Sequence, residues 1–223
     1  MENLARVRRA QNRPGDAVQL LLQATTLDRD PHVLYQLAAA QQAAGQTEEA
    51  RATLFEFKKL ANDPQLATDE SKRDLILMNA ESAVSAPDAL KLAQTEIAAR
   101  QDVWSLDAYA WALYANARFQ EADVAIQKAM AVGIQSAQIF DHAGHIAQKL
   151  NRGEDASRYF KLTVQSNPTS AFADDALKSA SLAAAIIDPH ATTAANAPAP
   201  DPVSYTHLDV YKRQSGYSPV TIV

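Results

Sequence analysis

Leu106-Asp107-Ala108-Tyr109-Ala110-Trp111-Ala112-Leu113-Tyr114, followed by Phe119-Gln120-Glu121-Ala122, decides the fold. Phe140-Asp141-His142-Ala143-Gly144, followed by Gly153-Glu154-Asp155-Ala156, repeats the arrangement further along the chain. Working outward, the alanine that opens each second helical stretch recurs as Ala17, Ala50, Ala89, Ala122 and Ala156, at a near-constant interval that lengthens only between Ala50 and Ala89. Each follows a turn or an acidic pair, as in Pro14-Gly15-Asp16-Ala17 and Thr47-Glu48-Glu49-Ala50. A period of about 34 residues is the mark of stacked helix-turn-helix units.

With the alanine set as position 20, the rest of each unit falls into register. Leu106, Tyr109, Ala110 and Leu113 take positions 4, 7, 8 and 11, and Ile126 and Ala129 take 24 and 27. The next unit puts Phe140, Ala143, Gly144 and Ala147 at the first four of those, then Phe160 at 24 and Pro168 at 32. An earlier unit supplies Leu34, Leu37, Ala38, Gly45, Ala50 and Leu54. Small side chains at 8 and 20 let two antiparallel helices approach, while large ones at 4, 7, 11 and 24 fill the grooves beside the contact. One such pair cannot bury its apolar face alone, so several must stack.

These residues resemble the tetratricopeptide repeat (TPR) family, over roughly residues 3 to 168 and most specifically over 103 to 168. The chain is also similar to a bacterial group of tetratricopeptide proteins of undefined role, through the two quoted first-helix stretches. The resemblance implies an all-α fold, an α-solenoid of antiparallel helix pairs wound as a right-handed superhelix. The long unit between Ala50 and Ala89 departs from the pattern: Arg73, Leu77 and Ala80 stand at 4, 8 and 11, and Leu77 replaces the small residue. Its first helix is expected to pack irregularly.

The repeats predict helices near 2–12, 14–28, 31–44, 47–61, 66–84, 87–100, 103–116, 119–132, 137–150 and 153–166. Repeat boundaries fall near 1–30, 31–64, 65–102, 103–136 and 137–168, with an end helix over 169–187, making one repeat domain of 1–188. Breaks at Pro14, Pro31, Pro64, Pro87, Gly133 and Pro168 are placed where the chain cannot continue a helix. Counting back from Ala17 puts Met1 near position 4, so the first unit is expected to be truncated. Residues 189–202, rich in alanine, threonine and proline, read as a disordered linker. Val203 to Gln214 resembles the translation of two transposon mosaic ends joined head to head, as left by sequencing-library preparation, so 203–223 is set aside from the fold.

Composition narrows the function. Among 223 residues, 47% are hydrophobic but only 7% aromatic, so the core must be built from alanine and aliphatic side chains. A net charge of -5 argues against nucleic acid, and the basic cluster Arg6, Arg8 and Arg9 reads as a solvated helix face. No apolar run is long enough to span a bilayer. Absence of cysteine suits a cytoplasmic or a periplasmic location equally. There is no nucleophile-elbow, dinucleotide, P-loop or zinc-protease motif, and no cofactor is expected. Asp141, His142 and His145 span one helical turn and could ligate a divalent ion. Without a fourth ligand or supporting carboxylate, groove-facing polar residues without metal is the preferred reading.

The helix over 103–116 is apolar on two sides, with Trp104, Trp111 and Tyr114 on the side away from Leu106, Tyr109, Ala110 and Leu113. In the resembling family, positions 2, 5, 9 and 12 of the first helix line a concave groove that takes extended peptides. Carried onto this chain, the resemblance implies a peptide groove of Trp104, Asp107, Trp111, Tyr114, Asp141, His145 and Tyr35. Burial of both tryptophans against the helix at 87–100 is the competing reading, and the two are not exclusive. The lysine and asparagine that clamp chaperone-tail carboxylates are replaced at positions 5 and 9 by Tyr35 and Ala39, Asp107 and Trp111, and Asp141 and His145. A neutral, basic or aromatic partner is therefore favoured. The expected function is a non-enzymatic protein- or peptide-binding scaffold; the alternative is the regulatory or assembly region of a larger enzyme.

Overall fold

The computed structural model describes residues 1–173 and 175–180, and every regular element among them is a helix. These are α1 (Glu2–Ala10), α2 (Pro14–Leu27), α3 (Pro31–Ala43), α4 (Thr47–Ala61), α5 (Asp69–Ala80), α6 (Ala86–Ala99), α7 (Val103–Ala115), α8 (Phe119–Met130), α9 (Ala137–Lys149) and α10 (Gly153–Ser166). Residues 173 and 175–180 are helical beyond α10. The remainder of the expected end helix, the linker over 189–202 and the segment 203–223 lie outside the described residues. Among the described residues no helix is long and apolar enough to cross a membrane.

Helix starts follow from the capping chemistry of the sequence. Pro14 and Pro31 are the first residues of α2 and α3, where a missing N–H forfeits no helical hydrogen bond. The side chains of Asp30, Asp102 and Ser136 accept from the free amides at the starts of α3, α7 and α9. The expected helix over 66–84 is shorter at both ends. Thr68 and Ser71 bond reciprocally, each hydroxyl accepting from the other's amide at 3.2 and 2.9 Å, and this capping box begins α5 at Asp69. At the far end Ser85 donates its hydroxyl to the Asn79 carbonyl at 2.8 Å and turns the chain after Ala80.

Four of the turns between paired helices are built identically. Asn12, Gly45, Ala117 and Asn151 adopt left-handed backbone at φ of 56, 77, 56 and 59°. Each stands the same distance before a recurrent alanine. The next amide, of Arg13, Gln46, Arg118 or Arg152, reaches back to the carbonyl of Arg8, Gln41, Leu113 or Ala147 at 2.9 to 3.0 Å, the six-to-one bond of a Schellman motif. The carbonyl of that same residue then accepts from the amide of Ala17, Ala50, Ala122 or Ala156, starting the second helix. The long unit lacks the left-handed residue before α6, although Ala89 keeps the same starting bond, to Ser85.

By contact the chain forms two compact units, one of Met1–Leu75 and one beginning at Ile76, with the boundary inside α5. In the first, α1 packs on α2, α2 on α3, and α3 on α4. Ala5, Ala17, Val18, Leu21, Val33, Leu37 and Ala40 form its core. In the second, α6 through α10 each pack on the next, and α7 also packs on α9, one repeat further along. Its main core joins Leu106, Ala110 and Leu113 of α7 to Ala122 and Ile126 of α8, Phe140 of α9, and Ala156 and Phe160 of α10. All five recurrent alanines are fully or almost fully buried. Gly144 is closely approached: a Cβ there would lie 2.5 Å from Cε1 of the buried Phe160 ring.

These two features predict opposite effects of substitution. Ala117→Gly removes the Cβ penalty of the left-handed turn and should raise unfolding stability by up to about 1 kcal/mol. Gly144→Leu drives a side chain into the space held by Phe160 and should cost roughly 1 to 3 kcal/mol. Denaturant unfolding reads both, and a stabilised Gly144→Leu or destabilised Ala117→Gly protein would contradict the respective geometry.

Candidate functional site

Asp102 organises the start of α7. Its carboxylate accepts from the Trp104 and Ser105 amides at 3.0 and 3.1 Å and from the Ser105 hydroxyl and Arg100 guanidinium at 2.9 and 2.8 Å. Burial opposes its charge, but the bonds from Ser105 and Arg100 prevail and bring it down to about 2. From this fixed start α7 is buried on both sides, as is α9, whose residues from Ile139 to Ala147 are all buried. Two helices of that kind must meet neighbours through their polar groups as well as their apolar ones.

The polar meeting point is Asp107, only 1% exposed. It accepts from His142 Nδ1 and from Gln138 Nε2, each at 2.8 Å, so α9 satisfies both oxygens. The His142 ring lies parallel to Trp111 with centroids 4.1 Å apart, and Tyr114 stacks on Trp111 at 4.6 Å. The Trp111 indole N–H donates to Glu81 at 3.2 Å. His145 leans on Trp111 and meets Phe160 edge-on at 5.1 Å.

Asp141 differs from Asp107 although it occupies the same position one repeat later. It is 6% exposed, and its Oδ1 has no hydrogen-bond partner. Its Oδ2 lies 3.6 Å from His145 Nε2. Burial, then the negative charges of Asp175, Asp107 and Glu81, push its carboxyl well above the ordinary value. Burial, then the positive influence of His142 and Lys149, bring His145 down to about 3. His145 is therefore neutral at ordinary pH, and its approach to Asp141 is not an ion pair. Tyr114 is pushed up to about 12 by burial and by the charges of Asp141 and Glu81.

The structure thus brings together Asp107, Trp111, Tyr114, Asp141 and His145 of the sequence-derived groove set. Trp111 is 4% exposed and shares a core with Ala89 and Ala93 of α6 and with Ile76 and Ala80 of α5. Trp104 stays 41% exposed. Tyr35 belongs to the other unit, where its ring faces Phe57 at 5.1 Å. In that unit Asp74 accepts from His32 Nδ1 at 2.6 Å. Burial opposes the His32 charge most strongly of any single influence, but the bond to Asp74 together with the charges of Asp74, Glu2 and Asp30 raises His32 above its ordinary value.

Sequence reasoning missed Glu81, Gln138 and Asp175, and took His142 for a groove-facing polar residue or a metal ligand rather than the buried partner of Asp107. A signal was present: Asp74, Asp107, Asp141 and Asp175 recur at the same interval as the alanines. Among the described residues no three His, Asp or Glu side chains are arranged to hold a metal ion. No protein-family model matches the chain, and no curated protein matches it.

The neutral state of His145 has a measurable consequence. The unfolded chain binds a proton at this residue below its ordinary value of 6.5, whereas the folded chain resists down to about 3. Its contribution to stability is complete above the unfolded value and is lost as pH falls through that window, with a slope of up to about 1.4 kcal/mol per pH unit. Subtracting the stability curve of His145→Gln from that of the parent should leave a difference that rises between about pH 4 and 6. A flat difference would mean that His145 is not held neutral.

Proposed function

We propose that this chain is a tetratricopeptide-type solenoid acting as a non-enzymatic peptide-binding scaffold, with its recognition surface on the first helices α7 and α9. The periodic alanines, the four matching left-handed turns and the packing of α7 on α9 support the repeat reading. The resemblance to the family in which first helices line a peptide groove supports the choice of surface.

The observation that carries the binding reading is Trp104. It is a large aromatic left 41% exposed on a helix that is otherwise buried almost throughout. Its spacing from Asp107 and Trp111 puts the three on one stripe of α7. Exposed tryptophan on a rigid, otherwise buried helix is the kind of residue that anchors interfaces. Further along the same stripe Trp111 is fixed by stacking on Tyr114 and His142 and by its bond to Glu81.

Division of labour between the two tryptophans makes the proposal testable. Trp104→Ala should leave thermal stability within about 1 kcal/mol of the parent, since little packing is lost. It should also weaken a peptide selected from a library on the parent protein by about 2 kcal/mol or more. Trp111→Ala should instead cost roughly 3 to 5 kcal/mol of stability through a cavity beneath the site. Failure of the parent to select any peptide, or selected peptides that bind Trp104→Ala with undiminished affinity, would sink the reading.

A further inference from the structure

One terminal atom of Gln36 serves two neighbours at once. On α3, His32 Nδ1 donates to the Asp74 carboxylate at 2.6 Å. The amide nitrogen of Gln36, one helical turn along, lies 2.6 Å from His32 Nε2 and 3.3 Å from Oε2 of Glu2 on α1. Asp74, His32, Gln36 and Glu2 thus form a hydrogen-bonded line from α5 through α3 to α1, and all four belong to the first unit. α1 packs on α2, and this line extends its hold to α3.

That arrangement suits one protonation state of the ring. A neutral imidazole with its proton on Nδ1 presents a lone pair at Nε2, and the Gln36 amide donates to it. An imidazolium carries N–H on both nitrogens. Two N–H groups cannot face each other at 2.6 Å, so charging His32 obliges the Gln36 amide to turn over and offer its oxygen. The oxygen then stands where the nitrogen was, 3.3 Å from Glu2 Oε2, with two acceptors and no hydrogen between them. The bond to Asp74 needs only the Nδ1 proton and persists in both states.

Protons reach the ring, because the His32 side chain is 28% exposed. The charged groups that face it are Asp74 from α5, Glu2 from α1 and Asp30 from the turn before α3, while Arg73 acts on Asp74. Burial disfavours the charged ring, but these carboxylates together prevail and raise His32 above its ordinary value. Its change of charge is thereby moved toward neutral pH.

We propose that His32 and Gln36 form a proton-operated switch in the contact between α1 and α3. With His32 neutral, Gln36 donates to Glu2. With a proton taken from solvent onto Nε2, the amide turns over, and that directed bond is exchanged for the attraction of Glu2 to the ring charge. Return of the proton to solvent restores the first state.

Ring-nitrogen and side-chain-amide NMR on the full chain, between about pH 5 and 9, reads the switch directly. His32 Nε2 should pass from protonated to bare with a midpoint above 6.5, while Nδ1 stays protonated throughout. The Gln36 amide protons and the backbone amides of α1 should shift with the same midpoint. His145 does not interfere, since it is held neutral down to about 3. His32→Gln should flatten every one of these responses, and Asp74→Asn should lower the His32 midpoint. Gln36→Leu should leave His32 titrating while α1 loses most of its response. A neutral ring with its proton on Nε2, or Gln36 amide signals that stay flat while His32 titrates, would overturn the proposal. So would an α1 response undiminished in Gln36→Leu, which would mean that the ring charge acts on Glu2 without the amide. If that variant fails to fold, the ring tautomer and the Gln36 signals of the parent still decide the matter.

Discussion

Close approach of two helices at a methyl-sized side chain is the constraint on which the rest of the protein depends. Ala17, Ala50, Ala89, Ala122 and Ala156 are each the fourth residue of a second helix, with an amide that closes the first helical hydrogen bond and a side chain buried at the contact. Nothing larger fits where backbones come that close, and nothing smaller would fill the space. Gly144 carries the idea to its limit by giving up its Cβ to a phenylalanine ring from the helix it faces. Once pairs close in this way, the left-handed turn residues are obliged to follow, since a Schellman turn is the short route from the first helix of a pair into the second.

A different chemistry operates between α7 and α9. Apolar pairing inside a repeat could be satisfied by many sequences, but these helices meet through a carboxylate, an amide and an imidazole beneath stacked rings. Burying Asp107 is tolerable because each oxygen has its donor. Asp141, at the same register position, has no such provision, and the protein bears a raised carboxyl and a neutral histidine in consequence. In the other unit the corresponding Asp74 is partnered by a histidine. Equivalent positions in a repeat therefore need not do equivalent work: Asp74 and Asp107 are bonded to a neighbouring helix, and Asp141 Oδ1 is not.

The helices and their order were legible because they depend on local physics. Periodic apolar residues, prolines at helix starts and short polar caps act within a few residues of themselves, and the boundaries read from them differ only slightly for most elements. α5 was the exception, because the Thr68–Ser71 box and the Ser85 turn are side-chain choices that override a continuous helical pattern. The left-handed turn escaped notice for a related reason: asparagine, glycine and alanine all occupy it, so the backbone conformation repeats while the residue does not.

By itself the sequence determined an all-helical chain with small residues recurring wherever helices must touch, since spacing along the chain is enough to specify a helix and its packing face. It also placed Trp104, Asp107, Trp111, Tyr114, Asp141 and His145 at related positions. Only the tertiary structure decided which of two tryptophans would be sealed beneath Glu81 and His142 and which would face outward. It alone decided that Asp107 would be satisfied and Asp141 left without a donor. Burial, stacking and hydrogen-bond partnership depend on residues a whole repeat away, and a pattern that records only neighbours along the chain does not contain them.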